Sequence, residues 1–160
     1  MITLVYLSMM MAVAGAFGVM CYSRHIPKSI SAMVYEYKKG FQWAWSVWII
    51  AIGALLLVPM MEALDDRLCV FGFLTFMALC GTAVTPLVNR ETSEWHDWFG
   101  VCAGVMSQCV VGIINPAWYL AWGLYVACLP FKVMRPYYVL VSEVCCSIAV
   151  FGTLIEFYKL

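Results

Sequence analysis

The sequence predicts an all-α fold, a polytopic transmembrane helix bundle of about six spans that forms one membrane domain over residues 1–160. Apolar residue types make up 65% of the chain and charged types 11%, and the mean hydropathy is +0.91. A soluble domain is usually about half apolar and about a quarter charged. A soluble domain of this size also keeps a large part of its surface in water, so lipid must solvate much of this one.

The apolar runs place the individual spans. A helix needs about 20 mostly apolar residues to cross the hydrocarbon core. The fourth run ends at the turn dipeptide Asn115-Pro116, which makes the fourth and fifth spans a helical hairpin with a short fifth span. The predicted spans are residues 2–21, 41–61, 68–88, 98–114, 117–131 and 137–157.

The basic residues predict the orientation. With six spans, loops one, three and five lie on one side and carry seven Lys and Arg residues, whereas Arg67 and Lys159 are the two on the other side. Cytoplasmic loops are enriched in Lys and Arg, so these three loops are predicted to be cytoplasmic and both termini to lie outside. The zero formal net charge argues against nucleic acid as a partner.

Two features are predicted to meet the membrane interface. In loop one, Ile30, Met33, Val34 and Tyr37 follow a helical spacing, which is typical of a short helix lying in the interface; an ordinary connecting turn is the alternative. Basic residues of this loop would then face anionic headgroups. Tryptophans settle at headgroup level, and several open the predicted spans. The interface residues are Lys28, Lys38, Lys39, Trp43, Trp45, Trp95 and Trp98.

Glu143 lies six residues inside the sixth span. An ionised side chain in hydrocarbon costs several kcal/mol, so this carboxyl group must face the bundle, be paired or be protonated. It could form a proton or ligand site. It could equally be a structural carboxylate that reaches the near interface or pairs with an arginine.

A second polar group opens the fourth span, where Glu94, His96 and Asp97 are crowded together. On the predicted topology these residues share the cytoplasmic side with Arg90, Arg135 and Glu143. Such a cluster could bind a lipid headgroup or begin a proton path. Acidic residues are also ordinary partners of the dipole at a helix start.

Small residues in the fourth span predict helix packing. Gly100, Gly104, Gln108 and Gly112 recur at steps of four, a spacing that lets helices approach closely. The same face could pack within the chain or against a second copy in a homo-oligomer, and a channel lining is the alternative.

Chemical motifs are scarce. The two histidines, His25 and His96, cannot build a multi-histidine zinc site. There is no phosphate-binding loop and no legible nucleophile–base pair. The sequence therefore predicts no metal, no cofactor and no catalytic residues.

The Ile26–Ser31 stretch after the first span, together with His96 before the fourth, resembles the DRAM-like families of small six-helix membrane proteins. The resemblance covers the helix count and about ten residues. It implies a role in membrane lipid organisation or remodelling without an established catalytic set. In that family the first loop is non-cytoplasmic, whereas here it is the most basic loop.

These observations favour a non-enzymatic protein that binds or organises membrane lipid through the cytoplasmic-side polar cluster. A small ion channel or proton-coupled transporter using Glu143 and His96 is the first alternative. A lipid-modifying membrane enzyme is the second.

Overall fold

A computed structural model describes residues 1–23, 26–36, 41–88 and 93–159, and its regular structure there is entirely helical, which confirms the all-α class. The α-helices are α1 (Ile2–Ser23), α2 (Gln42–Glu62), α3 (Cys69–Val88), α4 (Ser93–Ile114), α5 (Gly123–Cys128) and α6 (Tyr138–Lys159). Short 3₁₀ helices cover Ser31–Glu36, called the loop-one helix below, Pro116–Trp122 and Lys132–Tyr137.

Five of these helices, α1 to α4 and α6, are long and apolar enough to cross a membrane. Their outward faces carry exposed large apolar side chains. Met10, Phe17 and Val105, for example, are more than half exposed. Such a surface is stable in lipid and costly in water. The protein is therefore a multi-pass integral membrane protein.

Two apolar clusters define the two ends of the bundle. One cluster joins the start of α1 to the ends of α2, α4 and α6, through Val5, Met60, Val111 and Leu154; this is the terminal end. The other joins the end of α1 to the start of α2, the end of α3 and the loop-one helix; this is the loop-one end. Helices α1, α2, α3 and α4 therefore alternate in direction, and α6 runs parallel to α4.

The chain between α4 and α6 runs from the terminal end back to the loop-one end. Trp118 near its start donates its indole N–H to Glu156 at 2.7 Å, and near its end the carbonyl of Leu129 accepts the Tyr138 hydroxyl at 2.9 Å. This stretch lies antiparallel along α6. It differs from the predicted single span 117–131, because Pro116–Trp122 is a 3₁₀ helix and only α5 is α-helical.

Two bounding prolines and a short length set this traverse apart from a full span. Pro116 and Pro130 bracket the segment, and proline ends or restarts a helix because it lacks an N–H donor. Seven 3₁₀ residues at about 2.0 Å and six α residues at about 1.5 Å give about 23 Å. That length is less than the thickness of the hydrocarbon core of a bilayer, which is about 30 Å.

The loop-one helix does not lie outside the bundle as predicted. Met33 and Val34 are fully buried against Val19, Trp45 and Ala83. The apolar face predicted to meet lipid instead closes the loop-one end of the bundle, because the ends of α1 and α3 leave apolar surface there. Part of the predicted stripe, Tyr37, lies outside the described residues.

Candidate functional site

Glu143 binds the backbone of loop one. Its carboxylate accepts the backbone N–H groups of Ile30 and Ser31, the second at 3.2 Å, and the Ser31 hydroxyl also hydrogen-bonds to it. Beside it, the backbone N–H of Leu140 donates to the carbonyl of Lys28 at 3.1 Å. The first turns of α6 thus hold the start of the loop-one helix at two points.

The arrangement resembles a helix N-cap supplied from another helix. The first N–H groups of a helix have no partner within it, and a carboxylate satisfies them while also meeting the positive end of the helix dipole. Both oxygens of Glu143 are engaged in this way. Its predicted arginine neighbour, Arg135, is exposed and is not the partner that the structure gives to this carboxylate.

His96 is buried rather than placed at a polar mouth. It is 2% exposed, and its Nδ1 lies 2.9 Å from the backbone carbonyl of Thr82. A carbonyl only accepts, so Nδ1 carries a proton and, in the neutral ring, Nε2 is the acceptor. In the described part of the chain Nε2 has no hydrogen-bond partner. The rings of Tyr35 and Trp45 lie 5.8 and 6.1 Å away.

The predicted polar cluster is therefore not assembled as one site. Glu94, Asp97 and Arg135 are exposed, His96 faces the bundle, Glu143 faces loop one, and Arg90 lies outside the described residues. The helical period explains the separation on α4. His96 shares its face with the buried Ala103, Ser107 and Val110, at steps of seven, four and three residues, and its sequence neighbours point outward.

The outward face of α4 carries an open groove at the loop-one end. Its lining residues are Glu94, Trp95, Trp98, Phe99 and Cys102. Trp95 and Trp98 are 62% and 66% exposed, and the Trp95 and Phe99 rings lie 6.5 Å apart. Two indole faces and one carboxylate are thus accessible together where α4 begins. This groove is called the α4 groove below.

The predicted interface residues divide into three groups. Trp43, Trp95, Trp98 and Lys28 are exposed, whereas Lys38 and Lys39 lie outside the described residues. Trp45, which the sequence also predicts to meet the interface, is 1% exposed and buried in the bundle. It lies two residues from Trp43, about 200° around the helix, and therefore on the face that packs into the bundle.

The glycine stripe of α4 packs unevenly. A Cβ at Gly112 would collide with the Tyr119 hydroxyl, which donates to the Gln108 carbonyl at 2.7 Å. The Gln108 side chain accepts the Trp122 indole N–H at 2.9 Å. A Cβ at Gly104 would make only an ordinary contact with Cys146 of α6. A Cβ at Gly100 would have no packing neighbour within 4 Å among the described residues. The packing role therefore lies at the terminal half of the stripe, against the Pro116–Trp122 helix.

Sequence reasoning missed Glu156. Its carboxylate accepts the Asn115 side-chain amide at 3.1 Å and the Trp118 indole. It thereby fastens the start of the returning segment to α6. The Asn115 side chain also caps the backbone N–H of Ala117 at 3.1 Å. The signal that could have found this site is Asn-Pro with a carboxylate near the end of the last span.

Comparisons with protein families, with curated proteins and with solved structures found no match to this chain. The resemblance to DRAM-like proteins accordingly stays a prediction.

Proposed function

We propose that this chain is a non-enzymatic membrane protein that binds phospholipid at the loop-one end of its bundle. The observation that carries the proposal is the α4 groove. It lies on the outward face of a membrane-spanning helix, at the end where that helix begins. A phospholipid headgroup lies at this level of a spanning helix, beside the tryptophans.

The chemistry of the groove suits contact with a lipid better than contact with another segment of the same chain. Trp95 and Trp98 expose more than half of their surface. Indole combines a broad apolar body with one polar N–H, which suits the boundary between acyl chains and headgroups. Glu94 adds a polar group at the outer edge, at the start of the helix.

The internal polar residues support the same proposal. Glu143 uses both oxygens to hold loop one, and His96 is enclosed by Thr82, Tyr35 and Trp45. In this arrangement both side chains serve the closure of the loop-one end. The proposed lipid contact is therefore on the outer surface and does not include these two residues. The alternative function, a channel or transporter, requires both of them.

Native mass spectrometry of the full chain, gently extracted from its membrane, tests the proposal. We expect Trp98→Ala to retain less bound phospholipid, and Trp98→Phe to retain nearly as much as the wild type, because an aromatic face is kept. Trp43→Ala is the matched control, since Trp43 is also exposed at this end but lies outside the groove. Equal losses for Trp98→Ala and Trp43→Ala, or no loss for either, would refute the proposal.

We place the loop-one end in the cytoplasm and both termini outside. The support is the distribution of Lys and Arg: seven lie in the loops of that side, and two lie on the other side. Alkaline phosphatase, which is active only outside the bacterial cytoplasm, can be fused to the C-terminus for expression in bacteria. An active fusion is the expected result, and an inactive fusion with full-length expression would reverse the orientation.

A further inference from the structure

We propose that the α4 groove selects phospholipids with a positively charged amine headgroup, either a primary ammonium or a quaternary one. This inference rests on the proposed lipid-binding function and names the class of lipid. It follows from the carboxylate of Glu94, which is the one charged group among the described residues that line the groove, and from its position beside two exposed indoles.

Charge complementarity favours a cation. Glu94 would attract an ammonium group and repel the phosphate of a headgroup that carries no cation. The two indoles add to this preference, because the face of a tryptophan ring attracts a cation within about 6 Å. Aromatic faces are a common way of binding quaternary ammonium ligands.

Helical spacing lets these groups act on one headgroup. Glu94 and Trp98 are four residues apart and Trp95 and Trp98 three, so their side chains are neighbours on the surface of α4. Phe99 lies beside Trp95 and also lines the groove. The acyl chains of the bound lipid would continue along the outward face past Cys102 and Val105, both exposed.

The groove differs in charge from loop one. The exposed Lys28 is held at the start of α6 through its backbone carbonyl, and loop one is basic as a whole. Those residues suit anionic headgroups at the membrane surface. The carboxylate of Glu94 opposes that preference within the groove itself, so the two surfaces would contact different lipids.

The test is native mass spectrometry of the delipidated full chain titrated with phosphatidylethanolamine, phosphatidylcholine and phosphatidylglycerol of identical acyl chains. We expect the wild type to retain both amine lipids over phosphatidylglycerol by about two- to fivefold, the range expected for exposed cation–π and ion-pair contacts. Glu94→Gln should abolish this preference. Asp66→Asn is the matched control, because Asp66 is an exposed carboxylate between α2 and α3, at the terminal end of the bundle and away from the groove.

Equal or better retention of phosphatidylglycerol by the wild type would overturn the inference, as would an unchanged preference in Glu94→Gln. A third outcome is that Trp98→Ala retains less of all three lipids while Glu94→Gln keeps the wild-type preference. That outcome would support lipid binding and reject only the amine selectivity. Retention of all three lipids that is unchanged in Trp98→Ala would reject the proposed function itself, and the inference with it.

Discussion

Glu143 on α6 and Ser31 in loop one, 112 positions apart in the chain, are joined by a hydrogen bond of 3.2 Å from the Ser31 backbone N–H to the carboxylate. The same carboxylate accepts the N–H of Ile30. This contact makes a carboxylate that would otherwise be costly in a membrane-spanning helix into a cap for the loop-one helix. It also fixes where the helix closes the bundle, over Trp45 and His96.

Replacing this carboxylate should loosen loop one locally. Glu143→Gln presents an NH₂ group where a carboxylate oxygen now accepts an N–H, and an unsatisfied buried N–H costs about 1–3 kcal/mol. We expect hydrogen exchange of residues 30–34 to accelerate about tenfold or more, since 1.4 kcal/mol is about a factor of ten. Glu156→Gln is the control and should accelerate exchange around residues 115–118 instead. Faster exchange spread evenly along the chain would contradict the local role of Glu143.

The buried His96 should matter more for stability than its exposed neighbour. His96→Ala removes a ring packed between Tyr35 and Trp45 and leaves the Thr82 carbonyl without that donor. Large-to-small changes in a core cost about 2–5 kcal/mol, whereas exposed substitutions usually stay within about 0.5 kcal/mol. Thermal unfolding in detergent should therefore show a clear drop for His96→Ala and almost none for Asp97→Ala. Similar changes in the two variants would contradict the burial of His96.

The tryptophans should differ in their access to lipid. Lipids brominated near the headgroup quench indoles that they touch. We expect Trp43→Phe and Trp98→Phe to remove quenchable fluorescence and Trp45→Phe to remove only fluorescence that such lipids do not quench, because Trp45 is buried. If Trp45→Phe lowered the quenchable fraction as much as Trp43→Phe, Trp45 would lie at the interface as the sequence predicts.

The glycines of α4 should respond differently to a single added methyl group. Gly112→Ala places a Cβ against the Tyr119 hydroxyl and should lower the unfolding temperature, an effect that Tyr119→Phe should partly relieve in the double variant. Gly100→Ala meets no neighbour in the described part of the chain and should stabilise slightly, since alanine is favoured over glycine in a helix by about 1 kcal/mol. An unfolding temperature that falls equally in both single variants would contradict the contact between Gly112 and Tyr119.

A homo-oligomer stays a prediction. The mass of the native particle, compared between the wild type and a Gly100→Leu variant, would test it.

The positions of the long helices could be predicted because membrane thickness sets the length of an apolar run. Helix α2, for example, covers Gln42–Glu62, one residue from the predicted span. The returning segment could be located by its apolar character. Its division into a 3₁₀ helix and α5 could not, because composition reveals neither that division nor contacts such as that of Trp118 with Gly152.

The candidate site was less accessible from sequence. Trp43 and Trp45 are the same residue type near the start of the same helix, and only the packing of α2 against α1 and α3 decides which one faces lipid. The partner of Glu143 is a pair of backbone N–H groups, which leave no mark in the sequence. Glu94 and His96 were grouped because they are close in the chain, but the 3.6-residue period sends them to opposite surfaces of α4.

Photocrosslinking offers the most direct measurement of lipid binding at the α4 groove. The protein, in its own membrane or in vesicles, is exposed to a phosphatidylethanolamine with a diazirine in its headgroup, and the crosslinked peptides are mapped. Crosslinks concentrated on residues 94–102, and reduced in Trp98→Ala but not in Trp43→Ala, are the predicted result. Crosslinks of equal yield at the starts of α2, α4 and α6 that ignore Trp98→Ala would contradict it.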